Sequence, residues 1–377
     1  MLWDIHGGLW GVDGDGVLRL TDGARILRKV TPLSALGPTT PMPADIADDL
    51  DGDGVAEVMA YSRGRLWVVS ADGTERGSIP APATGELSSR SRSGGSAVIS
   101  SAALPPVVIG DLDGDGIRDL LLPTGRTLTA HLTGDVVGAD KRQIRLPIDL
   151  DPRKEAGKKG PKQELAGAWF SDLDGDGRLD LATHLWVTEG SWFGATAQFR
   201  IFSGTGSAFS PLQTMQTDNA AVDVRFLDFD GDGDQDLLVS QVDIGLGNLG
   251  RALLSRQVQV EVGLYTMDGG RYPSQPRTLR TLTFPIERTD DLQLALEGDI
   301  DGDGLIDLVT NDGGDWLRVY RNELTAFSEE PLASIAMPIP RVDDALFVHD
   351  LTGDGRAEIF VWEPGASEGT LLRLKSP

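Results

Sequence analysis

The sequence contains no cysteine, which excludes disulfide bonds, thiolate metal sites and a cysteine nucleophile. Positive charge is also scarce, because 34 Lys and Arg stand against 58 Asp and Glu and the formal net charge is −24. Nucleic-acid phosphates are bound by clustered basic side chains, so we predict no nucleic-acid partner. The charge balance favours cations as ligands.

Long apolar runs are missing as well. No stretch of 18 apolar residues occurs, so no transmembrane segment is predicted. The amino terminus, MLWDIHGG, has neither the charged region nor the apolar region of a secretory signal peptide. The sequence as written therefore shows no export signal.

Residue patterns typical of enzymes are few. The four histidines have no metal-ligand spacing, and the sequence has no nucleophile elbow, phosphate-binding loop or zinc-protease helix motif. We therefore predict no catalytic residue and no organic cofactor. These histidines are His6, His131, His184 and His349.

What the sequence does contain is a repeated acidic motif, Asp-x-Asp-Gly-Asp-Gly-x-x-Asp/Glu, followed by apolar residues. Its copies begin 51 to 71 residues apart, a spacing typical of one supersecondary unit per copy. Five copies are complete, and the sixth reads DLTGDGRAEI. The copies begin at Asp49, Asp111, Asp172, Asp228, Asp299 and Asp350.

Each motif lies between short apolar segments that predict β-strands. PPVVIG precedes the second motif and LLLPT follows it, and a glycine-containing turn and a further strand come next. About four short strands per repeat are typical of a propeller blade. The sequence therefore predicts an all-β protein, a β-propeller with four-stranded antiparallel blades.

The chemistry of the motif favours calcium. Hard cations take six to eight oxygen ligands, and side chains at the first, third and fifth positions of a tight loop can converge on one point. In the second copy these are Asp111, Asp113 and Asp115, while the Ile117 carbonyl and the Asp119 carboxylate can complete the shell. The twelfth position is never acidic, so the loops are not EF-hands. The alternative is that the loops are only polar turns, in which Asp and Gly are common.

With these motifs the sequence resembles FG-GAP and VCBS repeat proteins, the calcium-loop β-propellers that include the integrin α head. The resemblance covers roughly residues 45–377 and implies about six Ca²⁺ ions. In the last copy Thr352 replaces a carboxylate, so we expect a weaker site there. The implied metal ligands are Asp49, Asp51, Asp53 and Glu57; Asp111, Asp113, Asp115 and Asp119; Asp172, Asp174, Asp176 and Asp180; Asp228, Asp230, Asp232 and Asp236; Asp299, Asp301, Asp303 and Asp307; and Asp350, Thr352, Asp354 and Glu358.

The whole chain, 1–377, is expected to form a single propeller of seven blades, with six as the alternative. We interpret Asp13 and Asp15 as part of a hairpin turn, and expect the amino-terminal blade to lack its inner strand. A chain that begins inside a longer exported protein would explain this. The expected blades are 1–44 (partial), 45–105, 106–167, 168–222, 223–293, 294–344 and 345–377 (partial).

Loops of this kind bind calcium at extracellular concentrations, so we expect a secreted, periplasmic or cell-surface protein. We predict a monomeric recognition scaffold that binds protein or glycan through one loop face. A sugar platform at Trp186, Trp192 and Phe193 and a contact site in the basic run 151–162 are candidate surfaces. A structural spacer and a lyase-like enzyme stay open as alternatives, the enzyme being less favoured. A lyase would require basic side chains such as Arg145, Lys162 and Arg225 to converge.

Overall fold

In the computed structural model, described residues belong to two compact units. The first comprises Met1–Leu20, Ile26–Asp151 and Gly204–Phe209, and the second comprises Thr21–Arg25, Pro152–Ser203 and Ser210–Pro377. No helix among the described residues is long and apolar enough to span a membrane. The structure describes residues 2–5, 8–13, 16–21, 25–30, 47–53, 57–62, 64–70, 74–82, 84–92, 95–103, 106–133, 137, 140–150, 162–188, 194–243, 254–285, 296–311, 316–337, 346–350, 354–362 and 369–374.

Successive antiparallel sheets, each a simple up-and-down meander, make up the amino-terminal part of the chain. Strands adjacent in sequence are also adjacent in the sheet. The first sheet contains β1 (Leu2–Ile5), β2 (Gly8–Asp13), β3 (Gly16–Thr21) and β4 (Arg25–Val30). The second contains β5 (Ala47–Asp48), β6 (Glu57–Ser62), β7 (Arg65–Val69) and β8 (Glu75–Pro80), and a separate hairpin follows with β9 (Thr84–Arg92) and β10 (Gly95–Ala103). The next sheet contains β11 (Val108–Gly110), β12 (Asp119–Thr124), β13 (Thr127–Leu132) and β14 (Asp140–Arg145).

The remaining sheets repeat this plan. One contains β15 (Lys162–Ser171), β16 (Asp180–Thr188), β17 (Thr196–Gly204) and β18 (Phe209–Gln216), and another β19 (Ala220–Leu227), β20 (Asp236–Val242), β21 (Gln257–Tyr265) and β22 (Thr278–Pro285). A third contains β23 (Leu296–Gly298), β24 (Asp307–Asn311), β25 (Trp316–Tyr320) and β26 (Ala333–Ala336). The last sheet has three strands, β27 (Leu346–His349), β28 (Glu358–Trp362) and β29 (Gly369–Leu372).

Burial along the strands explains why these segments form sheets. The second strand of a sheet is covered on both faces, as in β12, where every residue except Thr124 is buried. The fourth strand is largely exposed, and in β14 only Ile144 is buried. Apolar side chains of consecutive sheets pack together, and Phe229 at the heart of one such core is fully buried. This layering confirms the predicted all-β class and is consistent with a propeller-like fold.

The two ends of the chain differ from each other. The hairpin predicted around Asp13 is present, because Asp13 pairs with Gly16, while Asp15 itself lies outside the described residues. We expected no inner strand in the segment 1–44, but β1 precedes the hairpin and pairs with β2. The short apolar run LWDI supplies that strand. At the other end, 345–377 holds three strands, and the number of blades stays a prediction.

One glycine in β23 marks a close approach between two sheets of the second unit. A Cβ placed on Gly298 would lie 2.4 Å from Val348 Cγ1 and 2.9 Å from the Ala357 Cβ. We therefore expect Gly298→Ala to destabilise the protein by about 1–3 kcal/mol through overpacking, measured by thermal or denaturant unfolding. The matched double variant, Gly298→Ala with Val348→Ala, should recover part of the loss. Equal stabilities of Gly298→Ala and the wild type would contradict this packing.

Candidate metal-binding loops

The six acidic motifs each connect the first and second strands of a sheet. In the second motif the first-position carboxylate of Asp111 is wrapped by backbone donors. Gly114 N–H donates to its Oδ1 at 2.7 Å, and Gly116 N–H donates to its Oδ2 at 2.7 Å. Both glycines have positive φ, 80° and 84°, which this tight wrapping requires and which other residues adopt at a cost. The same donor pattern surrounds the first aspartate at Asp228 and Asp299.

Carboxylates converge in all five complete motifs. In each group, one oxygen from each of three residues lies within 4.8 Å of the others. The first, third and fifth positions meet in four loops, as expected for a common ligand point, while the third loop brings the ninth position in with the first and third. The groups are Asp49, Asp51 and Asp53; Asp111, Asp113 and Asp115; Asp172, Asp174 and Asp180; Asp228, Asp230 and Asp232; and Asp299, Asp301 and Asp303.

The ninth-position acid has a second role that sequence reasoning missed. In the complete motifs it is buried, and one of its carboxylate oxygens accepts the backbone N–H of the second loop residue at 3.1 to 3.2 Å. In each of these five loops the second residue has a buried apolar side chain, as in Phe229 and Leu112. The acid therefore closes the loop onto the start of the second strand. The acids are Glu57, Asp119, Asp180, Asp236 and Asp307.

In three sheets the other oxygen of this acid also accepts a backbone N–H, from the residue just beyond the third strand or close to its end. Asp119 Oδ1 accepts from Thr133 at 3.0 Å, and Asp307 Oδ1 accepts from Asn322 at 2.9 Å. The third pair is Asp236 Oδ1 with Met267 N–H at 2.7 Å.

Burial raises the pKa of Asp119, Asp236 and Asp307 to about 6, against the lowering effect of these hydrogen bonds. Neighbouring loop carboxylates raise it further. Each of these three acids therefore connects the start of the second strand to the loop and to the end of the third strand. Its ionised form is disfavoured by its surroundings. Compensation by a nearby cation would remove that disadvantage.

In the described parts of the loops, three buried carboxylate oxygens accept no hydrogen bond. Asp301 Oδ2 forms an ion pair with Arg321, whereas Asp172 Oδ1 and Asp230 Oδ1 have no hydrogen-bond donor. Burial raises the pKa of both groups, and neighbouring loop aspartates raise it further. Buried acceptors are almost always satisfied, so each such atom requires an explanation. A bound cation satisfies an oxygen of this kind directly.

Arginines contact the third-position aspartate in four loops, which the sequence analysis did not predict. Arg142 Nη1 on β14 lies 2.9 Å from Asp113 Oδ2, and Arg277 Nη1, just before β22, lies 3.4 Å from Asp230 Oδ2. The other two pairs are Arg76 with Asp51 and Arg321 with Asp301. Each guanidinium offsets part of the loop's negative charge. In three of these sheets an arginine recurs at or just before the start of the fourth strand. This recurrence is the sequence pattern that could have indicated the contacts.

The carboxylates of the sixth loop have different contacts from those of the other loops, and the weaker site expected there stays a prediction. Asp350 Oδ2 accepts the Gly355 N–H at 2.7 Å, but Thr352 lies outside the described residues. Arg373 pairs with Asp354, and its Nε lies 3.2 Å from Glu358 Oε1. Two of the implied ligands are therefore engaged by one guanidinium, and no converging carboxylate group is found in the described part of this loop.

The other candidate surfaces are only partly described. Trp192, Phe193 and residues 151–161 lie outside the described residues. The indole N–H of Trp186 donates to the Ala221 carbonyl at 3.0 Å, and the half-buried ring packs within its unit. Arg225 pairs with Asp223 at 3.2 Å. These contacts favour structural roles for Trp186 and Arg225.

Comparison with known proteins gives one informative result. No curated protein matches the chain. Among solved structures, the dihydro-heme d1 dehydrogenase NirN in complex with DHE aligns over 97% of this chain and 60% of its own, with a TM-score of 0.45 and 12% identity. An Agrocybe aegerita lectin that recognises non-reducing terminal N-acetylglucosamine aligns over 96% and 94%, with a TM-score of 0.42 and 14% identity. Identities and scores this low carry no information about function.

The FG-GAP-like repeat family, by contrast, matches residues 49–122, 172–239 and 299–361, which together make up more than half of the chain. Each matched segment begins at the first aspartate of one loop and extends past the next, so the three segments contain all six motifs. FG-GAP repeats are typical of propeller-like interaction scaffolds. The chain therefore belongs to the family of FG-GAP-like repeat proteins.

Proposed function

We propose that this protein is a calcium-binding propeller that acts as an extracellular recognition scaffold, with protein or glycan bound through a loop face. The observation that carries the proposal is the convergence of three carboxylates in each of five loops. Like charges held so close repel one another strongly unless they are compensated. Recognition through loops is consistent with the scaffold role of FG-GAP repeats.

The donor set fits calcium. All donors in the groups are carboxylate oxygens, the ligand type that Ca²⁺ prefers and that softer transition metals do not select. The donor-free oxygens of Asp172 and Asp230 support this assignment. When bound, calcium would supply the positive charge that offsets the converging carboxylates. The residues themselves fix the loop: the first aspartate gathers backbone N–H groups, and the ninth acid ties the loop to the sheet.

The proposed location follows from the affinity class of such loops. Extracellular calcium modules bind with Kd of about 10⁻⁴ to 10⁻³ M, and extracellular calcium is close to the upper value. Such loops would be about half to nine-tenths filled outside a cell and empty in the cytosol. Binding to the folded state alone then stabilises it by mass action.

Two experiments test the proposal. Calcium and magnesium titrations of the purified protein should show binding of calcium in preference to magnesium, and Asp230→Ala should reduce the number of calcium ions bound. Probing a glycan array and an extracellular protein panel in calcium and in chelator should reveal a calcium-dependent partner. Equal binding of the two metals would contradict the calcium assignment, and partner binding that ignores chelator would contradict the link between loops and recognition.

A further inference from the structure

Successive loops of the second unit contact one another through a recurring pair of positions. The seventh residue of one loop lies over the fourth-position glycine of the loop before it. A Cβ placed on Gly175 would lie 3.2 Å from Asp234 Oδ1, and one on Gly302 would lie 2.7 Å from Arg356 Nε. The third pair is Gly231 with Leu305 Cδ2, at 3.7 Å.

Backbone hydrogen bonds hold two of these neighbouring loops together. The N–H of Gln235, one residue after Asp234, donates to the Leu173 carbonyl at 2.8 Å. The N–H of Ala357, one residue after Arg356, donates to the Asp299 carbonyl. The backbone next to Asp234 and Arg356 therefore holds these two side chains against the preceding loop. All three seventh side chains are half-buried.

The three seventh side chains occupy equivalent places and differ in charge: Asp234 is negative, Leu305 is neutral and Arg356 is positive. The carboxylate of Asp234 lies against the loop it covers, since its Oδ1 is 3.2 Å from the position of a Cβ on Gly175. Its charge is therefore close to the carboxylates of the loop 172–180.

We propose that the charge of each seventh side chain sets the calcium affinity of the preceding loop. Resting on the calcium binding proposed above, this inference gives an order of affinities. The loop 172–180, covered by Asp234, binds most tightly; the loop 228–236, covered by Leu305, is intermediate; and the loop 299–307, covered by Arg356, binds most weakly.

Electrostatics gives the direction and the size of this effect. A carboxylate near a divalent cation favours binding, and a guanidinium at the same place opposes it. At the separation of adjacent loops, with solvent screening, one unit charge changes affinity by about three- to tenfold. In the calcium-free protein the two charges have the opposite effects on stability, because Asp234 repels the loop carboxylates and Arg356 attracts them.

Asp234→Asn keeps the shape of the side chain and removes its charge. We expect calcium titrations against a chromophoric chelator to show one site weakened about three- to tenfold. Thermal melts in excess chelator should show an unchanged or higher Tm, since a repulsion is removed. A merely structural role of Asp234 would lower the Tm in chelator. In an Asp172→Asn background, Asp234→Asn should cause no further loss of affinity.

The neutral position offers a gain-of-affinity test with a matched control. Leu305→Asp should strengthen the loop 228–236 about three- to tenfold, whereas Leu305→Asn, which has nearly the same shape without the charge, should not. If the wild type binds calcium but both Asp234→Asn and Leu305→Asp leave every affinity unchanged, this inference is wrong and the proposed function stands. If the wild type binds no calcium, both fail.

Discussion

Replacing Asp307 by alanine is expected to lower the stability of the protein sharply, with calcium or with chelator present. The Asp307 side chain is fully buried, and its two oxygens accept the backbone N–H groups of Ile300 and Asn322. Alanine leaves both donors buried without a partner, which costs about 1–3 kcal/mol for each group. The loss should be visible as a fall in Tm of several degrees.

The control for this experiment lies in the same loop. Asp303 is exposed and at the fifth position, where its Oδ1 accepts only the Leu305 N–H, at 3.0 Å. Asp303→Ala should therefore reduce the calcium-dependent part of the stability and change the Tm in chelator little. If Asp307→Ala behaved like Asp303→Ala, the ninth acid would be a metal ligand without the structural role described above.

The calcium-dependent rise in Tm is expected to shrink as the pH falls from about 7.5 to about 5.5. The pKa of Asp119, Asp236 and Asp307 is raised from 3.8 to about 6, chiefly by burial. Between pH 3.8 and about pH 6 the folded, metal-free chain binds more protons than the unfolded chain. The free-energy penalty of burying these charged carboxylates therefore decreases as the pH falls, and the metal-free protein becomes more stable. Calcium requires the charged carboxylates, and protons compete with it.

With a pKa of about 6, competition at pH 5.5 weakens calcium binding about fourfold at each of these three loops. Histidine titration acts in the opposite direction on overall stability, because burial lowers the pKa of His131 and lowers that of His184 to about 4. That contribution is the same with calcium and with chelator, so the difference between the two Tm values isolates the loops. A difference that is constant over this pH range would contradict the assignment.

Much of the local structure of the loops could be predicted from the sequence. Asp111, Asp113 and Asp115 meet because alternate residues of a glycine-rich turn point to its concave side, and this depends only on spacing. The strand that follows could be predicted from its apolar run, and the structure places β12 there.

The contacts that were not predicted involve residues far apart in the sequence. The arginine partner of Asp113 comes from β14, 29 positions away, and the N–H donor to Asp307 Oδ1 comes from Asn322. Neither spacing recurs from sheet to sheet, because loop lengths differ. The contact between Asp234 and Gly175 joins two sheets and leaves no local pattern.

The exposure of one aromatic side chain also depends on distant residues. Trp67 and Trp316 both lie in short apolar segments shortly after a glycine-containing turn. Trp67 is half-buried on β7, but Trp316 is 45% exposed at the start of β25. Strand periodicity gives the face of a sheet, and only the neighbouring sheet decides whether that face is covered.

Counting bound calcium while melting the protein tests the central claim most directly. The purified chain, freed of metal and then dialysed against calcium, should hold about six ions by elemental analysis, and five if the Thr352 loop is too weak. Its Tm should rise well above the value in excess chelator. A chain that retains no calcium, with superimposable melts in the two conditions, would show that the aspartate loops are only turns and would contradict the account.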